Sequence, residues 1–431
     1  MNKLFLFIFF LFLLANCSLN ENSKIWNNKK KISNKSQSIE IILDEVRETP
    51  KELNSKQKLD LSKIEINNNI NNKYNNFGAQ SYIGNLKKIG NFKFSKFDAI
   101  NELNFKSLFS NNILFFFDKK GSIIKFNKDS KVEWKKNYYS KSDKRNNPIL
   151  FLASENNNLF VADTNANYYL LNKENGNLKW KKKHSSSFNS QIKIKDDKIL
   201  VVDMENTLRC FSMKNGDILW SVPTQLTIVR SQKKQSLVVV NNLVIFSNSI
   251  GDLTSVDLNT GELIWQTPTQ AVGLAKNITL RNSDIVSDGN LVFMSSNKNQ
   301  FVAMNIETGI IKWKQEINSE LRPVVVSDYV VTISNEGLMV LLNKTDGNIL
   351  RINNILKNIK KKRRENYRPT GFIISDDKVY VSTRNGRIFI INFSDNSLQK
   401  VLKLDKEKLQ RPVYFNRELY IAKDNSIIRI N

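Results

Sequence analysis

The segment Ser255-Val256-Asp257-Leu258-Asn259-Thr260-Gly261-Glu262-Leu263-Ile264-Trp265 decides the fold, because its last six residues recur along the chain. In each clear copy a glycine precedes a tryptophan by four residues. These copies end at Trp180, Trp220, Trp265 and Trp313, and their glycines are Gly176, Gly216, Gly261 and Gly309. A motif that returns at a regular interval is the signature of a repeat architecture.

Three weaker copies extend the series in both directions. Trp134 closes the first of them, whereas Arg351 and Lys400 stand at the closing position of the other two. The closing positions are therefore 134, 180, 220, 265, 313, 351 and 400, which lie 38 to 49 residues apart. Seven complete units fit this series.

A pair of short apolar strands precedes each closing residue. In the best copy these strands are Asn242–Phe246 and Leu253–Asp257, and each unit predicts strand, turn, strand, Asx-rich turn and a strand that ends in Trp. Leu419–Ile430 starts an eighth unit that stops before its outer strand. We expect Phe92–Phe97, from the N-terminal side, to supply that strand.

Seven units plus one shared between the termini predict an all-β fold, an eight-bladed β-propeller over residues 86–431. Radial repetition leaves only short sheet edges, and pairing of N- and C-terminal strands closes the ring. Eight blades are favoured over seven. A solenoid of this period would need a cap at each end.

The N-terminus predicts export. Residues 1–17 place Lys3 before the apolar run Leu4–Leu14, which is typical of a signal peptide. The run ends in Leu14-Ala15-Asn16-Cys17, which resembles the lipobox of bacterial lipoproteins and implies lipidation (palmitate) at Cys17. An ordinary secretory signal is the alternative. The Asn- and Lys-rich residues 18–85 are expected to form a flexible tether.

The Gly–Trp motif resembles the PQQ-like propeller repeat, often written A-x-D-x-x-T-G-x-x-x-W. In proteins with this repeat the Trp packs between neighbouring blades and the turn glycine adopts φ > 0. The resemblance therefore implies a structural role for the repeat residues Trp134, Trp180, Trp220, Trp265, Trp313, Gly176, Gly216, Gly261 and Gly309.

Quinoprotein dehydrogenases share this repeat and hold PQQ in a central funnel beside Ca²⁺. They usually need Ca²⁺-binding carboxylates, a catalytic Asp and commonly a vicinal cysteine pair. The two cysteines here are Cys17 and Cys210, and no acidic cluster is evident in the sequence. We therefore expect no enzyme activity and no cofactor, and we keep a PQQ-dependent dehydrogenase as the less favoured alternative.

Lipobox, tether and propeller together resemble the BamB family, lipoproteins of the outer-membrane β-barrel assembly machinery. Residues 223–230 resemble the family loop whose apolar residues and arginine contact the periplasmic POTRA region of BamA, the barrel insertase. That resemblance implies partner-binding roles for Leu226, Val229 and Arg230. An apolar anchor beside a multi-donor cation is typical of interface hot spots. A solvated loop arginine is the alternative for Arg230.

A second family loop carries acidic residues, and Asp284 matches the first of them in residues 280–284. The family's second Asp is absent, because the chain continues with Ile285. A turn-capping role is the alternative for Asp284. The resemblance implies a non-enzymatic scaffold that docks on the insertase. Binding of unfolded barrel clients is an additional hypothesis. The scaffold would lie on the periplasmic face of the outer membrane, held only by its lipid. A ligand- or protein-binding envelope propeller outside that complex is the alternative.

The net charge of +25 raises the question of nucleic acid. The basic run Lys360–Arg364 lies after the sixth closing position, but no aromatic platform accompanies it, and a signal peptide directs the chain away from the cytoplasm. We expect no nucleic-acid partner. The single histidine, His184, lies in a polar stretch and predicts a surface residue.

Overall fold

The computed structural model describes residues 52–54, 74–78, 82, 84–97, 108–110, 113–225, 233–270 and 280–431. All of them belong to one compact unit, Pro50–Asn431. Within them, thirty-two strands form eight four-stranded sheets. These sheets are the blades of an eight-bladed β-propeller, so the predicted fold class is confirmed.

Strand β1 (Lys88–Lys93) comes first in the chain and belongs to the last blade. Blade 1 contains β2 (Leu108–Ser110), β3 (Ile113–Phe117), β4 (Ile123–Phe126) and β5 (Val132–Lys136). Blade 2 contains β6 (Leu150–Glu155), β7 (Asn158–Asp163), β8 (Asn167–Asn172) and β9 (Leu178–Lys183). Blade 3 contains β10 (Phe188–Lys195), β11 (Lys198–Asp203), β12 (Thr207–Ser212) and β13 (Ile218–Pro223). Blade 4 contains β14 (Leu237–Val240), β15 (Leu243–Ser247), β16 (Leu253–Asp257) and β17 (Leu263–Thr267).

The remaining blades follow the same order. Blade 5 contains β18 (Val286–Ser287), β19 (Leu291–Ser296), β20 (Gln300–Asn305) and β21 (Ile311–Gln315). Blade 6 contains β22 (Val324–Val326), β23 (Tyr329–Ile333), β24 (Leu338–Asn343) and β25 (Ile349–Asn354). Blade 7 contains β26 (Pro369–Ser375), β27 (Lys378–Thr383), β28 (Arg387–Asn392) and β29 (Leu398–Lys403). Blade 8 contains β30 (Val413–Phe415), β31 (Glu418–Ala422), β32 (Ser426–Ile430) and β1.

The hydrophobic core lies between the faces of neighbouring blades. The middle strands are apolar on both faces, as in β15, because each blade is covered on both sides. Between blades 3 and 4, for example, Val202 and Leu208 share a buried cluster with Val244 and Val256. The fourth strands are half exposed instead, and β13 alternates between exposed and partly buried residues.

The innermost strands were not predicted from the sequence. Each blade has four strands rather than three, and its first strand lies beside the first strands of neighbouring blades, as β10 does between β6 and β14. Their lengths vary widely, from two residues in β18 to eight in β10. They surround the axis of the propeller, which we call the axial channel.

Blade 8 is closed by the two ends of the propeller. Strand β1 pairs antiparallel with β32, and Phe92 lies opposite Ile427. The predicted closure by N- and C-terminal strands is therefore confirmed. The strand is Lys88–Lys93, so the expected range Phe92–Phe97 was placed too late, although Phe97 N still donates to Asp424 O at 2.9 Å.

Two short helices lie between blades. Helix α1 (Lys141–Arg145) is capped by Ser140, and a 3-10 helix (Lys361–Tyr367) contains most of the basic run. No helix in the described ranges is both long and apolar enough to cross a membrane. Residues 1–17, with Cys17, lie outside the described residues.

Parts of the predicted tether lie against the propeller. Leu53 forms a two-way backbone pair with Ile352 on the outer edge of blade 6, at 3.1 and 2.9 Å. Tyr82 is buried, and its ring meets that of Tyr380 edge-on at 5.4 Å. Residues 74–78 enter the axial channel, as described below. The domain division at residue 85 stays a prediction, and these residues belong structurally with the propeller.

Candidate functional site

The repeat tryptophans and glycines meet across blade boundaries. Each Trp is the third residue of its fourth strand, and its ring covers the turn glycine of the next blade. Gly309 has a φ of +68°, and a Cβ there would lie 2.5 Å from Cδ2 of Trp265. The same arrangement joins Trp134 to Gly176, Trp180 to Gly216, and Trp220 to Gly261. Glycine is needed for both the backbone conformation and the close approach.

Three of these indoles also donate a hydrogen bond to the next blade. Trp180 Nε1 lies 3.1 Å from Met213 O, and Trp265 Nε1 lies 2.8 Å from Ile306 O. Trp313 Nε1 lies 2.9 Å from Lys344 O. In each case the acceptor directly follows the third strand of the next blade. Ring burial and hydrogen bond together hold neighbouring blades in register.

The predicted docking residues Leu226, Val229 and Arg230 lie outside the described residues. The residues on either side of this segment are described, and hydrogen bonds fix them. Before it, Thr224 Oγ1 donates to Asn206 O at 2.8 Å. After it, Lys233 Nζ donates to Glu320 O at 2.5 Å. The connection therefore begins and ends on fixed positions of blades 3 and 4.

Asp284 lies at the corresponding connection into blade 5, two residues before β18. Its neighbours fix the backbone, since Ser283 N donates to Ser295 O at 2.7 Å and Ile285 N donates to Ser236 Oγ at 2.9 Å. The side chain is half-buried. The Asp284 side chain faces basic residues of this chain. The loop sequence alone did not predict these contacts.

These basic residues and their acidic partners form a group that we call the axial cluster. Its members lie in the connections that enter the innermost strands of blades 4 to 8: Lys233, Arg281, Asp284, Glu320, Arg322, Arg368 and Arg411. Glu320 is its hub, since its carboxylate contacts Arg368 directly and lies 3.8 Å from Arg281. The sequence analysis missed this cluster. The sequence signal was a charged residue one to five positions before the innermost strand of successive blades.

Burial and mutual repulsion set the electrostatics of the cluster. Burial, and then the Arg322 charge, lowers the pKa of Arg411 to about 9, although Asp284 opposes the shift. Burial also lowers the pKa of Lys233, against the attraction of Glu320 and Asp284. Asp284 thus stabilises three cations of its own chain.

Asn76 binds the wall of the axial channel. Its side chain is 5 % exposed, and Nδ2 donates to Ile285 O at 2.9 Å and to Gln191 Oε1 at 3.1 Å. Oδ1 accepts from Lys193 Nζ at 3.0 Å, and the backbone oxygen accepts from Arg322. One residue from the predicted tether therefore binds groups of blades 3, 5 and 6.

The residues before Asn76 continue this contact along the channel wall. Val239 N of β14 donates to Tyr74 O at 3.0 Å, and Ser287 N of β18 donates to Asn75 O at 3.0 Å. Both donors lie on the inner edges of innermost strands, which would otherwise face the axis. Residues 74–78 thus bind the channel wall as an internal ligand.

Comparison with known proteins places the chain in a family. Residues 109–353, more than half of the chain, match the family model described as outer membrane protein assembly factor BamB. The chain belongs to the BamB family. No curated protein sequence matches it.

Solved structures share the fold of this BamB-family propeller. BamB from Moraxella catarrhalis has a TM-score of 0.67 at 17% identity, over 80% of this chain and 99% of that chain. A europium-containing methanol dehydrogenase has a TM-score of 0.61 at 10% identity, over 84% and 90%. A quinohemoprotein alcohol dehydrogenase from Pseudomonas putida HK5 has a TM-score of 0.60 at 8% identity, over 88% and 80%. At these identities the likeness concerns the fold.

The axial channel of this BamB-family chain does not fit a quinone cofactor. Residues 74–76 already occupy polar groups of the channel wall at blades 3 to 6, which a funnel-bound cofactor would otherwise meet. Basic residues dominate the adjoining axial cluster. In the described ranges, no group of three or more His, Cys, Asp or Glu side chains could hold a metal ion.

The His184 imidazole and the Cys210 thiol take no part in the channel contacts given above. His184 Nδ1 accepts from Ser186 N at 3.1 Å, and burial lowers the pKa of its imidazole. Cys210 is fully buried in β12, and this burial raises the pKa of its thiol to about 12. Both therefore remain neutral at physiological pH.

Proposed function

We propose that this protein is a non-enzymatic scaffold subunit of the outer-membrane protein assembly complex. It docks on the periplasmic POTRA region of a BamA-like barrel insertase and assists the folding and insertion of β-barrel proteins. The observation that carries the proposal is the family match over residues 109–353. That range contains both connections for which docking residues are predicted, Leu226–Arg230 and Asp284.

The proposed mechanism is positional. The Trp–Gly contacts hold the blades rigidly, so the strand ends from which the connections start are fixed relative to one another. Leu226 and Val229 would supply apolar anchors, and Arg230 would donate several hydrogen bonds to the partner. Asp284 would act mainly on its own chain, because Lys233, Arg322 and Arg411 already surround it.

Client binding by strand addition is a further part of the proposal. The pair between Leu53 and Ile352 supports it, because an extended segment has added to the outer edge of blade 6. The outer edges of β13 and β17 carry exposed aliphatic residues and no lysine: Ile218, Leu219, Leu263 and Ile264. Such edges are suited to pairing with an unfolded β-strand.

The proposed address is the periplasmic face of the outer membrane. The signal peptide of residues 1–17 would export the chain, and a lipid on Cys17 would anchor it. The predicted tether of residues 18–85 would join the lipid to the propeller, and its residue Leu53 is paired with blade 6.

Co-purification from gently solubilised membranes tests the proposal. The chain carries a C-terminal tag, and captured partners are compared for the wild type, Arg230→Ala and the exposed control Lys361→Ala. We expect the insertase with the wild type and the control, and at least about tenfold less with Arg230→Ala. If all three proteins capture the insertase equally, the proposed function would stand, but the interface would lie elsewhere than at Arg230. Its absence from the wild-type sample would refute the function and favour an envelope propeller outside the complex.

A further inference from the structure

The charges of the axial cluster do not balance. Its seven members are five cations and two carboxylates, which gives a formal charge of +3. Both carboxylates already serve several cations, because Glu320 contacts Arg281 and Arg368 while Asp284 attracts Lys233, Arg322 and Arg411. Residues 226–232 and 271–279 contain neither Asp nor Glu, and Lys408 adds a further cation that acts on Lys233. Buried like charges are costly unless a counter-ion joins them.

Two of the arginines are held firmly in place. Arg322 binds the backbone oxygen of Asn76 through Nη2, and its Nε is buried without a hydrogen-bond partner among the described residues. Arg411 Nε donates to Phe372 O at 2.9 Å, which leaves its terminal nitrogens for other contacts. Both side chains are half-buried rather than closed off. Arg322 and Arg411 occupy equivalent positions, two residues before the innermost strands of blades 6 and 8, and Arg411 reaches to the innermost strand of blade 7 between them.

We propose that the axial cluster is a binding site for a phosphate-type oxyanion, held between Arg322 and Arg411 on a floor formed by Asn76. Guanidinium groups recognise phosphate with paired, charge-assisted hydrogen bonds, and a multivalent anion matches a charge of +3 better than chloride does. The phosphate is either a free anion or the headgroup of a phospholipid. The cluster shares Asp284 with the predicted insertase contacts, but the anion would be held by Arg322 and Arg411, which are not among those contacts.

Isothermal titration of the purified full-length protein in detergent tests this site. The probe is inorganic phosphate at constant ionic strength, with chloride as the reference anion. Arg411→Gln removes one guanidinium, and Arg322→Lys keeps the charge but removes the fork. Lys361→Gln, in the exposed 3-10 helix, is the matched control for the loss of one charge. Circular dichroism verifies that each variant is folded.

We expect saturable phosphate binding that is at least about tenfold weaker in Arg411→Gln and Arg322→Lys and unchanged in Lys361→Gln. Phosphate binding that is no stronger than chloride binding would overturn the proposal, as would equal weakening in the control. A second titration uses soluble dihexanoyl-phosphatidylglycerol below its micelle concentration. Tighter binding of this lipid than of phosphate, lost in Arg411→Gln, supports the headgroup source. Binding of phosphate alone supports the free anion.

Discussion

Arg351 and Asn396 form a hydrogen bond across the boundary between blades 6 and 7, with Arg351 Nη2 2.9 Å from Asn396 Oδ1. Arg351 is the third residue of β25, the position at which blades 1 to 5 have Trp. Asn396 lies in blade 7, at the position where blades 2 to 6 have their turn glycine, and its φ is +56°. A donor–acceptor pair thus replaces the usual contact between Trp and Gly.

Arg351 also reproduces the hydrogen bond of the indoles. It donates through Nη2 to Phe393 O at 2.8 Å, and Phe393 directly follows the third strand of blade 7. The equivalent acceptor for Trp313 is Lys344 O. Burial lowers the pKa of Arg351 to about 10, so the guanidinium remains charged at neutral pH. A further bond runs from Nη1 to Ser394 O at 2.6 Å, so one side chain fills the Trp position and satisfies three acceptors.

Exchanging this pair for the common one tests whether the two positions are coupled. Arg351→Trp alone should be destabilising, because the indole would meet the Asn396 side chain where other blades offer a glycine. Asn396→Gly alone removes an acceptor from a buried cation. We expect the double variant to be at least about 1 kcal/mol more stable than the sum of the single changes predicts. Urea denaturation followed by circular dichroism measures all four proteins, and additive effects would contradict the coupling.

The Trp–Gly contact can be separated from backbone strain at Gly309. Gly309→Ala places a methyl group 2.5 Å from the ring of Trp265, and it also forces Ala into a φ of +68°. We expect a loss of about 3 kcal/mol in the free energy of unfolding. Gly289→Ala reports on backbone strain without packing, because Gly289 has a φ of +102° and no atom within 4 Å of the added Cβ. Gly309→Ala in a Trp265→Ala background keeps the φ of +68° and removes the indole, and an equal loss there would show that packing against Trp265 contributes nothing.

The sequence predicted the blades well because the repeat motif encodes their outer half. The turn glycine and the Trp carry a fixed spacing, so even the substituted copy at Arg351 could be aligned. The innermost strands were missed because they lack such a marker and vary from two residues in β18 to eight in β10. Their edges are defined by tertiary contacts around the axis, which no local pattern records.

The channel contacts were missed for a different reason. The low hydrophobicity of the stretch around Asn76 predicts a tether, since such segments rarely bury enough apolar surface to fold. Here hydrogen bonds to Gln191, Lys193 and Ile285 hold the segment instead. Hydropathy does not measure polar complementarity, so only the assembled channel reveals the partner. The docking residues Leu226, Val229 and Arg230 remain predictions.

Residues 74–78 should stabilise the blades that they bridge. Asn76→Ala removes the groups that satisfy Lys193 Nζ, Gln191 and Ile285 O, and a buried cation without its acceptor is costly. We expect a loss of about 3 kcal/mol and faster hydrogen exchange at the amides of Val239 and Ser287.

The neighbouring Asn75→Ala is the matched control for that change. Asn75 binds Ser287 through its backbone oxygen, which alanine retains, and its side chain accepts only a long bond from Phe77 N at 3.4 Å, so both stability and exchange should change little. If Asn76→Ala leaves the exchange of both amides at the wild-type rate, the segment does not hold the channel wall.

Cys210 gives a prediction that also reports on Cys17. Burial raises the pKa of the Cys210 thiol to about 12, and the side chain is fully buried in β12. The thiol should therefore stay protonated and unreactive toward a maleimide in the folded protein, with no increase in labelling between pH 7 and pH 9. Unfolding in urea should expose it.

If Cys17 carries a thioether-linked lipid, protein purified from membranes should show no reactive thiol when folded and one when unfolded. A second thiol after unfolding would refute lipidation at Cys17, and labelling of the folded protein that is lost in Cys210→Ser would refute the burial of Cys210.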